Sequence, residues 1–234
     1  QHIINVVRTV GLKKLAPLDE WIERTFGRKR SIAYMANRAF YERPLYYKSN
    51  CFSVVGTGAE VRMPPYTQRF DYELEFGIFI GRKGVDIPRE RALSYVGGFT
   101  VFNDFSSREI QLKEQAGRLG PTKGKDFDTG NAMGPCLVTP DEIGDPYDLT
   151  MTARVNGEEW SRGTSADMYW SFEDLIWYIS QSETLHPGEF LGSGTCSGPQ
   201  GGRGCGLEMG RFLKPGDVVE LEVENIGILR NPIV

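Results

Sequence analysis

Glu73 and Glu75 stand two residues apart in the run Asp71-Tyr72-Glu73-Leu74-Glu75-Phe76-Gly77-Ile78-Phe79-Ile80. Side chains alternate faces along a strand. Leu74, Phe76, Ile78 and Ile80 therefore share one face. Glu73, Glu75 and Gly77 share the other, with the two glutamate Cα atoms about 6.5–7 Å apart. Two like charges that close repel unless a cation lies between them. Gly77 removes bulk beside them, as a closely approaching ligand requires. Two readings stand open. One is the solvent-facing polar edge of an amphipathic strand. The other is a divalent-cation site whose oxygen-only ligands select Mg2+, Mn2+ or Ca2+ over zinc.

A second group lies in Asn103-Asp104-Phe105-Ser106-Ser107-Arg108-Glu109-Ile110-Gln111. Asp104 ends a strand, and Arg108 and Gln111 share one helical face. An acid, a guanidinium and an amide at a strand end suit a carboxylate- or carbonyl-binding site. A helix cap with solvated neighbours fits the same residues. The loop from Gly120 to Gly130 is too charged for core, and it lacks the spacing of a P-loop. Gly192 to Gly198 lacks the dinucleotide fingerprint. The histidines are two, His2 and His186. His186 sits in a Pro-Gly turn and reads as surface, so a Ser-His-Asp triad has little to draw on.

The elements that must position these groups are short. The chain has 234 residues, with 28 glycines and 13 prolines as punctuation, which favours a strand-rich, turn-rich fold. Its 27 Lys and Arg against 31 Asp and Glu argue against a nucleic-acid partner or an anionic membrane surface. No run approaches the roughly 18 apolar residues of a membrane span. Four cysteines without CxxC spacing point to reduced thiols and a cytoplasmic location. Residues 12–50 read as mostly helical, with Leu18, Trp21, Ile22 and Phe26 as a packing stripe. Beyond them come short strands at 44–47, 53–55, 72–80, 99–103, 149–155 and 218–223. An Asn156-Gly157 turn signals a hairpin. Helices are expected over 86–95 and 171–180, the latter with a capping box of Ser171 and Asp174. The expected organisation is a helical cover over 1–43 and a β domain over 44–234.

Together these segments resemble the fumarylacetoacetate hydrolase family from about Tyr41 to Val234. The likeness is carried by Asp-Tyr-Glu-Leu-Glu at 71–75, Asn-Asp-Phe-Ser-Ser-Arg-Glu-Ile-Gln at 103–111 and Lys-Gly-Lys-Asp-Phe-Asp-Thr at 123–129. Val-Asn-Gly-Glu at 155–158, Gly-Ser-Gly-Thr at 192–195 and Leu-Lys-Pro-Gly-Asp at 213–217 extend it.

The resemblance implies a mainly β fold with short helices, a mixed β-sandwich roll under an N-terminal helical cover. It also implies a homodimer with a Mg2+, Mn2+ or Ca2+ site. The metal acids fall on Glu73, Glu75 and Asp104. Tyr47, Arg108, Gln111, Thr129 and Thr195 fall on substrate-binding positions, and Lys125 on a substrate-polarising one. Asp126 replaces the serine common after that lysine, an extra acid expected to lower its effective charge. His2 is the implied general base, with Glu208 orienting it; Asn5 stands where smaller relatives keep a glutamate. The expected activity is hydrolytic cleavage of a C–C bond in a β-diketo or acylpyruvate acid. Decarboxylation of a 2-oxo diacid such as oxaloacetate, isomerisation or hydration, and a non-catalytic metal-binding role are the alternatives.

Overall fold

The computed structural model describes residues 4, 6–11, 13–117, 120–197 and 203–234. Two sheets carry the fold. The first has the order β1 (Val54–Val55), β6 (Asn131–Val138), β4 (Val96–Asp104), β3 (Leu74–Ile80) and β9 (Phe190–Gly192). The second has the order β11 (Gly227–Pro232), β10 (Val218–Val223), β7 (Thr150–Val155) and β8 (Glu158–Thr164). A two-stranded ribbon joins β2 (Phe70–Asp71) to β5 (Ser106–Ser107). β1 runs parallel to β6 and the other ladders are antiparallel, so the architecture is mixed. Leu74, Phe76 and Ile78 of β3 join Met151, Ala153 and Leu221 of the second sheet in one buried cluster. Burial of that apolar surface is the main favourable term for such a layered fold.

Local chemistry accounts for the elements. Asn156 and Gly157 take φ of 53° and 80°, the two positive values that a tight hairpin between β7 and β8 needs. Ser171 and Asp174 close a reciprocal capping box at the start of the helix Phe172–Ile179. Phe172 leads that helix into the core, edge-on to Phe76 with ring centroids 5.2 Å apart.

The N-terminal part is helical: α1 (Ala16–Phe26), α2 (Ile32–Ala36) and α3 (Arg38–Glu42). Its packing differs from the expectation. Leu18, Trp21 and Phe26 are about half exposed, so the stripe does not bury against this chain. The buried residue of α1 is Asp19, whose carboxylate accepts the Ile32 and Ala33 N–H groups and pairs with Arg8. The helices are thus tied to one another by polar bonds. Residues 44–47 form no strand, because their backbone finds no ladder partner. The expected helix at 86–95 is a 3-10 turn over Arg89–Tyr95.

Phe172→Ala should cost about 3–5 kcal/mol, the usual loss for a buried phenylalanine. Urea unfolding measures it, and a cost below about 1 kcal/mol would contradict this account of the core.

Candidate metal centre and active site

The first sheet brings three carboxylates to one point. Glu75 lies within β3 opposite Phe102, and Asp104 closes β4. Glu73 precedes β3, where its N–H donates to the Asn103 side chain at 3.1 Å. One oxygen from each of Glu73, Glu75 and Asp104 lies within 4.8 Å of the others. They are 6%, 3% and 3% exposed, which rules out the solvent-facing edge. The polar face of the strand is covered by the 192–197 segment, where the Gly194 N–H donates to Glu75 at 3.1 Å. Gly77 serves that covering rather than a ligand. A Cβ there would stand 2.6 Å from the Leu191 carbonyl oxygen and 2.3 Å from the Phe190 ring.

Two buried cations share these acids. Lys125 Nζ lies 2.9 Å from Glu73 and 2.8 Å from Asp104. Arg108 spans Asp71, 2.7 Å from its Nε, and Glu73, which accepts from Nη1. Burial works to lower both cations' pKa values, yet the neighbouring carboxylates outweigh it and both stay charged. Loop geometry delivers Lys125. The Glu114 carboxylate accepts the N–H groups of Thr122, Lys123 and Gly124, and the Ser107 N–H holds the Gly124 carbonyl at 2.8 Å. Asp126 does not touch the lysine. It turns to the Ser49 hydroxyl and the Asn50 N–H, both at 3.1 Å, so the expected weakening of Lys125 is absent.

Asp71, Glu73 and Asp104 pair with these two cations, and Glu75 converges on the same point beside them. With all four carboxyls ionised the group carries two negative charges in surplus, which a divalent ion would match. Asp104 Oδ1 is buried without a hydrogen-bond partner, an acceptor left for such an ion. The donor set is all oxygen, which suits Mg2+, Mn2+ or Ca2+. The residues fit the group.

The other expected site residues divide. Tyr47 donates its hydroxyl to Asp104, and burial with that carboxylate keeps it a phenol. Gln111 Oε1 accepts from Arg108 Nη1 at 2.9 Å, while Arg108 Nη2 is buried without a partner. Thr129 turns away, its hydroxyl accepting the Arg62 N–H at 2.9 Å. The Thr195 methyl packs against Gly204. Glu208, 8% exposed, accepts from the Ser197 hydroxyl and from the Gly204 N–H at 2.7 Å. It thus braces the described flanks of the 198–202 segment. His2 and Asn5 lie outside the described residues. His186 is exposed, and all four cysteines are unpaired. Asp71 is the residue that the sequence reading missed, although it precedes Glu73 and Glu75 at the same spacing of two.

Burial, then the Glu73 and Asp104 charges, push the Glu75 carboxyl well above the usual range, with Lys125 pulling the other way. An acid raised in this way holds its proton more tightly folded than unfolded. Its share of stability is intact below the unfolded value of about 4.3 and is lost as pH rises through the raised folded value. In metal-free protein, Glu75→Gln should therefore add more stability near pH 8 than near pH 5. Mg2+ should stabilise the wild type near pH 8 and leave the variant unmoved. Urea midpoints with chelator or Mg2+ read both, and an equal gain at the two pH values would contradict the assignment.

Comparison with known proteins agrees with this geometry. Residues 25–234 match the family model for the fumarylacetoacetate hydrolase C-terminal domain. The mitochondrial oxaloacetate tautomerase of Homo sapiens is 37% identical over 193 residues, which are 82% of this chain and 60% of that protein. The chain thus spans about 60% of the length of the curated relatives it matches. A fumarylpyruvate hydrolase from Pseudomonas aeruginosa, solved with Mn2+ and pyruvate, superposes with a TM-score of 0.72 at 25% identity, covering 81% of this chain and 78% of its own. A 5-carboxymethyl-2-hydroxymuconate delta-isomerase from Mycobacterium smegmatis gives 0.67 at 30% identity, covering 78% and 66%. The mainly β architecture, the converging acids and the matched span together place this chain in the fumarylacetoacetate hydrolase family.

Proposed function

We propose that this chain carries the catalytic domain of a divalent-metal-dependent enzyme that forms the enolate of a small 2-oxo acid. The leading reading is keto–enol interconversion of a 2-oxo diacid of the oxaloacetate class. The observation that carries it is the buried cluster in which Glu73, Glu75 and Asp104 converge beside Lys125 with two negative charges in surplus. The relatives at 37% identity, oxaloacetate tautomerases by name, support that choice of substrate class.

Glu73, Glu75 and Asp104 would hold the divalent ion, which would supply Lewis-acid stabilisation to an oxyanion developing on the 2-oxo acid. Lys125 adds a fixed positive charge from the same pocket, in a setting where water cannot screen it. Arg108 offers its unpartnered Nη2 to a substrate carboxylate, steadied by Gln111. The Tyr47 phenol retains its proton, which it donates to Asp104, and in this reading its oxygen faces the bound substrate as an acceptor. Thr195 lines the approach in this reading, whereas Thr129 is turned to the Arg62 N–H. Residues 1–43 act as the cover and 44–234 as the catalytic domain. Exposed apolar residues such as Phe52, 92% accessible, support a homodimeric assembly. No helix among the described residues is long and apolar enough to cross a membrane. The compartment is left to the relatives, whose names are mitochondrial rather than cytoplasmic.

A second reading keeps the hydrolytic reaction and is favoured by the likeness to the fumarylpyruvate hydrolase. Here His2, oriented by Glu208, takes a proton from water, which adds to the distal carbonyl of an acylpyruvate. The C–C bond then breaks, and its electron pair leaves as the pyruvate enolate, which is protonated. Decarboxylation of oxaloacetate would use the same stabilisation without that base.

Enol and keto oxaloacetate, oxaloacetate decarboxylation and acylpyruvate cleavage should be assayed side by side with Mg2+ and with Mn2+. The expected result is accelerated tautomerisation, lost with chelator and in Glu75→Gln. His2→Ala should cut any hydrolysis by about 10²–10⁴-fold while leaving decarboxylation within a few-fold. Metal bound at the three acids without any of these activities would overturn the proposal.

A further inference from the structure

The described half of the 197–208 segment is anchored to the metal centre through a residue that belongs to neither. Asp71 is fully buried, and it is not among the three acids that converge on the cation point. Its two oxygens serve three donors. Oδ1 accepts the Gly206 N–H at 2.7 Å. Oδ2 accepts the Leu207 N–H at 2.9 Å and Arg108 Nε at 2.7 Å. The same guanidinium donates through Nη1 to Glu73, one of the three acids. A continuous polar path thus runs from the Gly206–Glu208 turn through Asp71 and Arg108 to Glu73.

The turn fits flush on that path. A Cβ at Gly206 would stand 2.5 Å from Asp71 Oδ1 and 2.1 Å from the Arg211 carbonyl oxygen, so glycine alone permits the approach. The turn also carries Glu208, which holds Gly204 and Ser197. When the turn is seated, its two N–H groups complete the hydrogen bonding of a fully buried carboxylate. Asp71 then fixes the guanidinium plane by Nε, and Nη1 holds one Glu73 oxygen. The second oxygen of Glu73 is thereby aimed beside Lys125 and the other acids. Groups that orient a ligand in this way commonly govern metal affinity as strongly as the ligand itself. With the turn lifted, Asp71 loses two of its three donors and keeps Arg108 Nε alone. The Asp71–Arg108 pair is then no longer braced by the turn, and the Glu73 oxygen that Nη1 holds loses that indirect support.

We propose that Asp71 is a positioning residue that couples seating of the Gly206–Glu208 turn to divalent-cation binding at Glu73, Glu75 and Asp104. The coupling rests on the metal reading above, and it is reciprocal: a cation that binds better with the turn seated must in turn hold the turn down.

The first test uses the wild-type chain. Calorimetric titration with Mg2+ establishes binding, and amide hydrogen exchange by NMR follows Gly206 and Leu207 with and without saturating Mg2+. Both amides should exchange about 5-fold more slowly or better with the cation bound, the low end of typical coupling. The second test is Asp71→Asn, which keeps the size and removes the charge. Its Mn2+ affinity should fall about 10–100-fold, read by electron paramagnetic resonance without any assay of turnover. A merely structural Asp71 would lower the melting temperature and leave Mn2+ affinity alone. Wild-type protein that binds neither ion overturns the metal reading and the inference together. Binding with unchanged or faster exchange, or an Asp71→Asn affinity within about twofold of wild type, overturns the inference alone. Should Asp71→Asn fail to fold, the wild-type exchange decides.

Discussion

Four carboxylates packed around two cations, all out of reach of water, is the constraint on which the rest of this structure depends. Burying a charge is costly unless it is paired and hydrogen-bonded. Lys125 and Arg108 meet part of that cost and cannot meet all of it. The Glu75 carboxyl shows the shortfall, since burial and its acidic neighbours push it towards the protonated form. In the proposed reading, a divalent ion at the unpartnered Asp104 oxygen would restore the balance, and the imbalance of the metal-free centre would be what favours its binding.

The fold meets this constraint through long-range pairing. β3 contributes Glu75 by ordinary strand alternation, and β4 brings Asp104 alongside by the antiparallel register of Leu74 with Asn103. β9 then pairs along the edge of β3 with the Phe190 ring close to Gly77, and the 192–197 segment that follows covers the acidic face, its Gly194 N–H donating to Glu75. The loop before β6 returns Lys125 to the far side, pinned by Glu114. Each device draws on a different part of the chain, so the centre exists only once both edges of the first sheet are in place.

Much of this was legible in the sequence. Period-two alternation put Glu73 and Glu75 on one face, and the 103–111 motif marked Asp104 and Arg108. The Asn156-Gly157 hairpin, the Ser171 capping box and the strand over 218–223 all follow from local chemistry, and the structure places them there. What stayed hidden depends on tertiary neighbours. Whether the acidic face meets water or protein is decided by the 192–197 segment, over a hundred residues away, and local pattern carries no trace of it. That carboxylates claim most of the donors of Arg108 and Lys125 is likewise set by tertiary neighbours and absent from local pattern. The apolar stripe of α1 looked like a packing face, yet in this chain its helix is held by Asp19 instead. Asp71 carried a usable signal, an acid two residues before a same-face acidic pair.

The most direct test of the central claim is anomalous diffraction from crystals grown with Mn2+. The account predicts one strong peak lying about 2.0–2.6 Å from an oxygen of each of Glu73, Glu75 and Asp104, the range expected for hard divalent ions. Lys125 should remain paired with Glu73 and Asp104, and Arg108 with Glu73. A map with Mn2+ bound elsewhere, and with Glu73 and Asp104 held by Lys125 and Arg108 alone, would contradict it.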